Sequence, residues 1–274
     1  MRAFSLLTVL LATVSCVRTA GQQNPSVALT TNDTVVRKIF DRAEELAIKN
    51  IITVDGRKVM TEGAQYHHLW LETQPMGGYM YAPRDPEIAR NNIEIFIDYQ
   101  RNDGRFPGVI YNRNGNAEPN YVQFQGFCFA RPAFELYFLT GSDTAYLKRL
   151  YTALEKIDAY LWRNRDSDGN GCLETWCIYD TGEDHAERFN GFPNGWSFDF
   201  PPSPDAAASL TPAELRLHCK QEEYDSTRRM IVPIESMDIM SYSYSCREVL
   251  AEISAELGNG MENFWLGKAG EVRE

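Results

Sequence analysis

The sequence predicts an all-α fold made of helical hairpins, and three observations support that prediction. Apolar residues recur at helical spacing, most clearly between Leu147 and Leu161. Links of only a few residues, at Gly141 and at residues 258–260, turn consecutive helices antiparallel. Strand–helix–strand alternation is not visible in the sequence, so a parallel sheet is not expected.

The N-terminal region contains one predicted helix and one predicted β-hairpin. Asn32 or Asp33 caps the helix, because a side-chain oxygen at this position accepts hydrogen bonds from the first free backbone N–H groups. The dipeptide Asp55-Gly56 marks a tight turn, and residues 51–60 around it are expected to form a short hairpin.

Two long loops flank the next predicted helix. Residues 66–81 are aromatic and too irregular for a single element. Asp85 followed by Pro86 starts a helix that ends before Gly104. The second loop is rich in Asn, Gly and Pro, and it alternates like a strand only near its end, at residues 121–127.

The rest of the chain is expected to contain two helical hairpins and an insert. A helix over residues 127–139 and the helix after Asp143 form the first hairpin. Residues 190–230 form an insert rich in Pro, Gly and Ala, with one short helix. A helix ending at Leu257 and another beginning at Met261 form the second hairpin. Long loops held by such a rigid scaffold are where functional residues concentrate.

Composition limits the classes of function. The net charge of −11 and the isoelectric point near 5.0 argue against binding to nucleic acid, which needs clustered Lys and Arg. The four histidines show no metalloprotease spacing, and no C-x-x-C pair is present, so catalytic zinc is not expected.

The N-terminus predicts an exported protein. Arg2 precedes an apolar stretch, residues 4–14, that is too short to span a bilayer. Residues 1–20 are therefore expected to be a signal peptide, and residues 21–31 a polar linker. A lipid anchor at Cys16 is an alternative to simple cleavage. The protein is expected in the periplasm, anchored at the outer membrane or outside the cell, without a transmembrane segment.

Residues 162–189, which follow the most regular predicted helix, hold the densest cluster of acidic side chains. Crowded carboxylates raise one another's pKa, and glycoside hydrolysis needs a carboxylic acid that stays protonated near neutral pH. A solvated acidic turn is the alternative interpretation. The carboxylates are those of Asp166, Asp168, Glu174, Asp180, Glu183 and Asp184.

Four blocks of sequence carry a family resemblance. The first, from Trp70, reads W-L-E-T-Q-P-M-G-G-Y-M-Y-A and continues with R-D-P-E-I-A-R-N-N and D-Y-Q-R-N-D-G-R-F-P-G. The second, from Gln123, reads Q-F-Q-G-F-C-F. The third, from Arg165, reads R-D-S-D-G-N-G-C-L-E-T-W and continues to D-T-G-E-D-H-A-E-R-F. The fourth, from Pro233, reads P-I-E-S-M-D-I-M-S-Y. In this order the blocks resemble the six-hairpin glycosidases of the processing α-glucosidase (glycoside hydrolase family 63-like), mannosylglycerate hydrolase and trehalase type.

The resemblance implies an (α/α)6 barrel whose site lies at the mouth formed by the long loops. Residues 32–274 would be part of such a catalytic domain. Its implied activity is hydrolysis of an α-linked glucoside or mannoside with inversion. Asp184, which closes the T-G-x-D motif, corresponds to the general acid. The family's general base comes later in the barrel, so it is expected outside these residues, which would make the chain a fragment.

Other residues of these blocks are expected to contact the substrate, an oligosaccharide or glycoside. Tryptophan rings stack on sugar rings, and Glu72 stands where the family usually has Asp. Arg188, which follows the acid, would contact the substrate or orient the acid. The predicted substrate-binding residues are Trp70, Glu72, Gln125, Trp176, Glu183 and Arg188.

The D-x-D-x-N-G-x-x-E loop resembles the first half of an EF-hand loop, and a loop of this kind binds calcium in some relatives. Alternating oxygen donors and a glycine suit Ca²⁺, but Cys177 stands where a bidentate Glu is usual. A structural calcium and a metal-free turn are therefore both open, and no cofactor is required. The predicted ligands are Asp166, Asp168, Asn170 and Glu174, with Glu235 as a further candidate.

Two functions besides hydrolysis remain open at this stage. The first is carbohydrate binding without catalysis by part of a barrel. The second is a polysaccharide lyase, a class that also uses helical toroids. A lyase acting on acidic polysaccharide would need a basic cleft, and the acidic loops disfavour it.

Overall fold

The computed structural model describes residues 27–63, 65–121, 124, 126, 128–166, 169–175, 180–182, 186–187 and 234–273. Most of these residues are helical, which confirms the predicted all-α fold class. Among the described helices, none combines the length and the apolar content that a membrane span requires. The helices are α1 (Thr34–Lys49), α2 (Gln74–Tyr81), α3 (Pro86–Asp98), α4 (Ala130–Leu139), α5 (Thr144–Asn164), α6 (Met237–Leu257) and α7 (Glu262–Arg273).

Short strands add small antiparallel sheets to the helices. One sheet is two-stranded, one is three-stranded and one consists of a pair of two-residue strands. Their strands are β1 (Ile51–Val54) with β2 (Arg57–Met60), then β3 (Leu69–Trp70), β4 (Val109–Arg113) and β5 (Asn116–Asn120) in that order, and finally β6 (Glu174–Thr175) with β7 (Ile234–Glu235).

The hairpin predicted for residues 51–60 is confirmed. Strands β1 and β2 pair from Ile51 opposite Met60 to Val54 opposite Arg57. The two turn residues between them, Asp55 and Gly56, have φ of 48° and 74°, the positive values that a tight two-residue turn requires.

The prediction of two irregular loops is wrong. Residues 66–81 contain β3 and α2, and the loop after Gly104 contains the β4–β5 hairpin. Asn114 and Gly115 turn that hairpin with φ of 55° and 91°. An Asn-Gly pair is a hairpin signal, but the run that follows it, N-A-E-P-N, consists of residues that are depleted in strands.

Aspartate side chains fix the starts of three helices. Asp33 accepts hydrogen bonds from the backbone N–H groups of Val35 and Val36, which confirms Asp33 rather than Asn32 as the cap of α1. Asp85 caps α3 in the same way, as predicted from the Asp-Pro pair. Asp143 caps α5. Each cap satisfies a donor that the helix itself leaves free.

Both predicted helical hairpins are confirmed. Residues 140–143 link α4 to α5, and residues 258–261 link α6 to α7. Gly258 has φ of 61°, and the N–H of Asn259 donates to the carbonyl of Ser254, so α6 ends in a left-handed glycine cap. This tight reversal packs α7 along α6.

A buried ion pair joins α5 to α6. Arg247 donates to both carboxylate oxygens of Asp158, at 2.8 and 3.3 Å, and to the carbonyl of Lys268 in α7 at 2.7 Å. Its guanidinium lies 4.4 Å from the ring centre of Trp162, whose indole N–H donates to Ser243. The long helix α5 thereby holds α6 in place.

Several predictions fall on residues that the structure does not describe. The signal peptide, Cys16 and most of the linker precede residue 27. The insert at residues 190–230 and its short helix also lie outside the described part of the chain.

Candidate active site

A cleft of about 590 Å³ lies where the four sequence blocks meet. Each block contributes residues to its wall, and most of them carry carboxylate, hydroxyl or thiol groups. Ligand sites typically occupy about 300–1,000 Å³. The lining residues are Glu72, Thr73, Cys128, Thr181, Gly182, Asp238, Ser241, Tyr242 and Ser245.

Glu72 lies in the turn that follows the short strand β3. Strand β3 pairs with β4, and the N–H of Leu71 continues the pairing by donating to the carbonyl of Gly108 at 2.9 Å. Leu69 and Leu71 are fully buried in the core. The chain then turns at residues 71–73, where the N–H of Thr73 donates to the carbonyl of Trp70 at 3.3 Å, and Glu72 in this turn lines the cleft.

Trp70 is half-buried, and it does not belong to the cleft wall as the described residues define it. Its backbone N–H donates to the side-chain oxygen of Gln74, at the start of α2. Its indole nitrogen is buried without a hydrogen-bond partner among the described residues. The predicted stacking of Trp70 on a sugar ring stays a prediction.

The carboxylate of Glu72 lies directly against Gly182 of the third block. Gly182 has φ of 73°, and a Cβ atom added there would overlap that carboxylate and lie 3.2 Å from its Cδ. Only glycine fits this approach without displacing a neighbour. The first and third blocks, distant in sequence, therefore meet at one point of the cleft.

Asp180 fixes the segment that ends at Gly182. It is fully buried, as is its partner Arg165, whose Nη1 donates to the carboxylate at 2.6 Å. The other carboxylate oxygen accepts from the backbone N–H of Phe124 at 2.9 Å. Arg165 also lies over the Phe124 ring, 5.6 Å from its centre. The Asp180 carboxylate, at the start of the second part of the third block, therefore contacts both the first part of that block, at Arg165, and the second block, at Phe124.

Helix α6 supplies nearly half of the cleft wall. Asp238, Ser241, Tyr242 and Ser245 are spaced by three, four and seven residues from the first, which places them on one face of a helix. None of these four residues was predicted as a site residue, although Asp238, Ser241 and Tyr242 belong to the fourth block. Their helical spacing beside a family motif was the signal that could have identified them.

Two groups in the cleft stay protonated at neutral pH. Burial, followed by the charge of Glu72, raises the pKa of the Cys128 thiol. Burial also raises the pKa of the Tyr242 hydroxyl well above its ordinary value. Both side chains therefore enter the cleft uncharged, and the Tyr242 hydroxyl retains its proton.

A second cavity of about 340 Å³ adjoins the cleft and shares Cys128, Tyr242 and Ser245 with it. Its other walls come from α2 and α4 and include Met76 and Pro132. This part is more apolar than the cleft itself.

Five of the residues predicted for catalysis and substrate binding lie outside the described part of the chain, so their positions stay predictions. They include the predicted general acid and the residues around it. The five are Asp184, Gln125, Trp176, Glu183 and Arg188.

The loop predicted to bind calcium is closed by hydrogen bonds of its own. The carboxylate of Asp166 accepts from the N–H of Gly171 at 3.2 and 3.3 Å, and Asn170 Oδ1 accepts from Cys172 at 2.8 Å. The amide of Asn170 also donates to Glu235 at 2.9 Å.

Pairing of β6 with β7 sets Glu174 opposite Glu235, with Glu174 buried. Asp168 is outside the described residues. Within the described residues no group of three or more acidic, His or Cys side chains is arranged to hold a metal ion. These contacts suit a metal-free turn, and the calcium site stays a prediction.

Comparison with known proteins identifies relatives. The profile of the mannosylglycerate hydrolase MGH1-like glycoside hydrolase domain matches residues 66–274. Among curated proteins, none matches this chain significantly.

Solved structures from Thermus thermophilus resemble the chain at low sequence identity. An uncharacterized conserved protein is 16% identical with a TM-score of 0.60, over 84% of this chain and 60% of its own. A GH63 mannosylglycerate hydrolase in complex with glucose is 15% identical with a TM-score of 0.58. The same enzyme in complex with Tris is 14% identical with a TM-score of 0.60.

Both structures of that enzyme match over 84% of this chain and 63% of their own. This chain thus spans less than two thirds of the length of these structures. At such identities the likeness shows a shared fold.

Proposed function

This chain belongs to the family of mannosylglycerate hydrolase MGH1-like glycoside hydrolase domains, and we propose that it is an exported glycoside hydrolase. We propose that it cleaves an α-linked glucoside or mannoside with inversion, and that Asp184 is its general acid. The observation that carries the proposal is the cleft in which all four sequence blocks meet.

The chemistry of the cleft wall suits a neutral sugar. Glu72 and Asp238 offer carboxylate acceptors, and the side chains of Thr73, Thr181 and Ser241 offer hydroxyl groups. Sugar hydroxyls both donate and accept hydrogen bonds, so carboxylates and hydroxyls can pair with them directly. We propose that the Glu72 carboxylate accepts a hydrogen bond from a substrate hydroxyl. In this role it would replace the Asp that the family usually has at this position.

The fixed position of Gly182 supports Asp184 as the acid. Consecutive Cα atoms are about 3.8 Å apart, so two residues cover only about 7 Å of chain. Gly182, which lines the cleft beside Glu72, precedes Asp184 by only two residues in the sequence. Neighbouring carboxylates favour the protonated form of an acid, which a general acid needs at neutral pH.

In the proposed reaction the Asp184 carboxyl donates its proton to the glycosidic oxygen as the bond to the anomeric carbon breaks. The alcohol of the leaving group departs neutral. A second carboxylate takes a proton from water, which adds to the opposite face of the sugar, and the configuration inverts. The two carboxyl groups of such a pair are about 6.5–9.5 Å apart to make room for the water.

The test uses the full-length protein and a panel of α-glucosides and α-mannosides, with NMR detection of the anomer released first. We expect the β-anomer of the released sugar. Asp184→Asn should lower kcat by about 10²–10⁴-fold, the usual contribution of a general acid.

Glu187→Gln is the matched control, because Glu187 is an exposed acid three residues further along. We expect it to leave kcat unchanged. Equal activity of Asp184→Asn and wild type would refute the assignment. Binding of these glycosides without turnover by the wild type would instead support a carbohydrate-binding protein.

The N-terminal sequence supports the export part of the proposal. Processing should remove residues 1–20, or leave a lipid on Cys16. Mass spectrometry of the protein from fractionated cells distinguishes the two, and an intact N-terminus in the cytoplasmic fraction would contradict both.

A further inference from the structure

We propose that Arg165 and Asp180 form a positioning pair that sets the place of the catalytic acid relative to the substrate. The inference rests on the proposed function, because it acts through Asp184. Asp180 was not among the site residues predicted from the sequence, and it does not line the cleft. Its effect would be exerted through the backbone of residues 180–182.

The pair has the burial and the geometry of a fixed anchor. Both side chains are fully shielded from solvent, and Arg165 Nη1 lies 2.6 Å from Asp180 Oδ2. A charge-assisted hydrogen bond of this length is among the stronger polar contacts in proteins. Removing either charge would break a hydrogen-bonded ion pair that is shielded from solvent, which is usually costly.

The anchor holds two parts of the cleft at once. Asp180 accepts from the N–H of Phe124, which lies between the two glutamines of the second block. Thr181 and Gly182, the next residues along the chain, line the cleft. A shift of Asp180 would therefore move the second and third blocks together.

Glu72 contacts this segment on the substrate side. A Cβ atom added at Gly182 would overlap that carboxylate. Asp180 holds the segment from the core, and Glu72 bounds it in the cleft. Proton donation depends steeply on donor geometry, so a small displacement would reduce acid catalysis more than it reduces sugar binding.

The experiment compares two substrates whose leaving groups differ in their need for an acid. This comparison distinguishes a displaced catalytic acid from a general loss of stability. The alcohol of an alkyl α-glycoside departs as an alkoxide unless an acid protonates the glycosidic oxygen. The fluoride ion of an α-glycosyl fluoride departs with little help from an acid. In the full-length protein we expect Asp180→Asn to lower kcat on the alkyl glycoside by about 10–100-fold, part of the full contribution of an acid. On the fluoride of the same sugar we expect a loss below about threefold, with KM little changed on either substrate.

Asp158→Asn is the matched control. Asp158 and Arg247 form another buried Arg–Asp pair, which joins α5 to α6 and does not line the cleft. This variant should lose thermal stability as Asp180→Asn does. It should change kcat for both substrates by the same factor.

Arg165→Lys covers the case in which Asp180→Asn does not fold. Lysine keeps the charge but not the forked geometry of the guanidinium. We expect Arg165→Lys to fold and to lose more kcat on the alkyl glycoside than on the fluoride, with a smaller difference than in Asp180→Asn.

Equal loss on both substrates in the folded variants would overturn the inference and leave the pair a purely structural contact. An inactive wild type would instead refute the proposed function, and the inference would fall with it. A selective loss on the alkyl glycoside, absent from Asp158→Asn, would support the positioning role.

Discussion

At the residue scale, substitution of Gly182 can distinguish the effect of backbone strain on stability from the effect of the Glu72 contact on activity. Gly182→Ala introduces two changes: a side chain at φ of 73°, and an overlap with the carboxylate of Glu72. The first costs about 1–2 kcal/mol for a residue other than glycine. The second can be relieved by moving the flexible end of Glu72. We therefore expect a modest loss of unfolding free energy together with a marked loss of kcat/KM.

Gly260→Ala is the control for this prediction. Gly260 has φ of 77°, and an added Cβ would have no neighbour within 4 Å. Urea denaturation should give similar losses of unfolding free energy for the two variants, whereas glycoside turnover should fall only in Gly182→Ala. Full activity of Gly182→Ala would show that the position of Glu72 does not matter for turnover.

Residue types alone could identify only part of the site. Glu72 was predicted from its motif, and the structure places it in the cleft. Asp180 was counted among the acidic residues, but its role depends on the distant partners Arg165 and Phe124. A sequence does not show which of several carboxylates is buried against a cation. Burial and pairing decide whether such a group anchors the fold or faces the substrate.

At the element scale, the two β-hairpins dock through their turns. The N–H of Asp55 donates to the carbonyl of Gly115 at 2.8 Å, and its carboxylate accepts from the N–H of Ala117 at 2.8 Å. Tyr99, at the end of α3, donates its hydroxyl proton to the same carboxylate. This contact joins α3 to both hairpins, and the β4–β5 hairpin pairs with the strand that leads to Glu72.

The Tyr99–Asp55 contact predicts a pH dependence at alkaline pH. The hydrogen bond to Asp55, followed by burial, raises the pKa of Tyr99 to about 12. A raised pKa in the folded state contributes stability that is present below the ordinary value of about 10 and is lost as pH rises through about 12. The excess unfolding free energy of wild type over Tyr99→Phe should therefore stay constant below about pH 10 and decline between about pH 10 and 12.

Asp55→Asn tests the cause of that dependence. Asparagine tolerates the positive φ at this position, so the turn is kept while the negative charge is removed. The double variant that also carries Tyr99→Phe is then compared with Asp55→Asn alone, over the same range of pH. We expect the alkaline decline to shrink, and an undiminished decline would show that another group causes it.

Helical elements were easier to predict than the strands for a physical reason. Apolar spacing persists along the whole of α5, and aspartate caps mark where helices begin. Strands β3, β4 and β5 have only two to five residues, too few for a period to emerge. Their pairing is set by contacts between distant segments, which local sequence encodes weakly.

At the scale of the whole molecule, the sequence blocks predicted the site better than the charge pattern did. Acidic residues along 162–189 suggested a single loop as the centre of function. The structure instead distributes the cleft over four segments, with α6 contributing at least as much as the described part of the acidic loop. The order of the blocks in the sequence indicated the family, whereas only the three-dimensional structure shows that the blocks meet at one cleft.

Removal of metal ions tests the chemistry of the whole protein. Acid–base cleavage by two carboxyl groups needs no metal, so dialysis against EDTA should leave kcat for an α-glycoside unchanged. The melting temperature of the same samples tests the calcium prediction separately, because an ion bound only to the folded state raises it. Asp166→Asn is the control, because Asp166 belongs to the predicted ligand set. Any increase of the melting temperature by calcium should be smaller in this variant. A loss of turnover in EDTA that calcium restores, with the melting temperature unchanged, would place a metal in the reaction and contradict the acid–base mechanism proposed for this cleft.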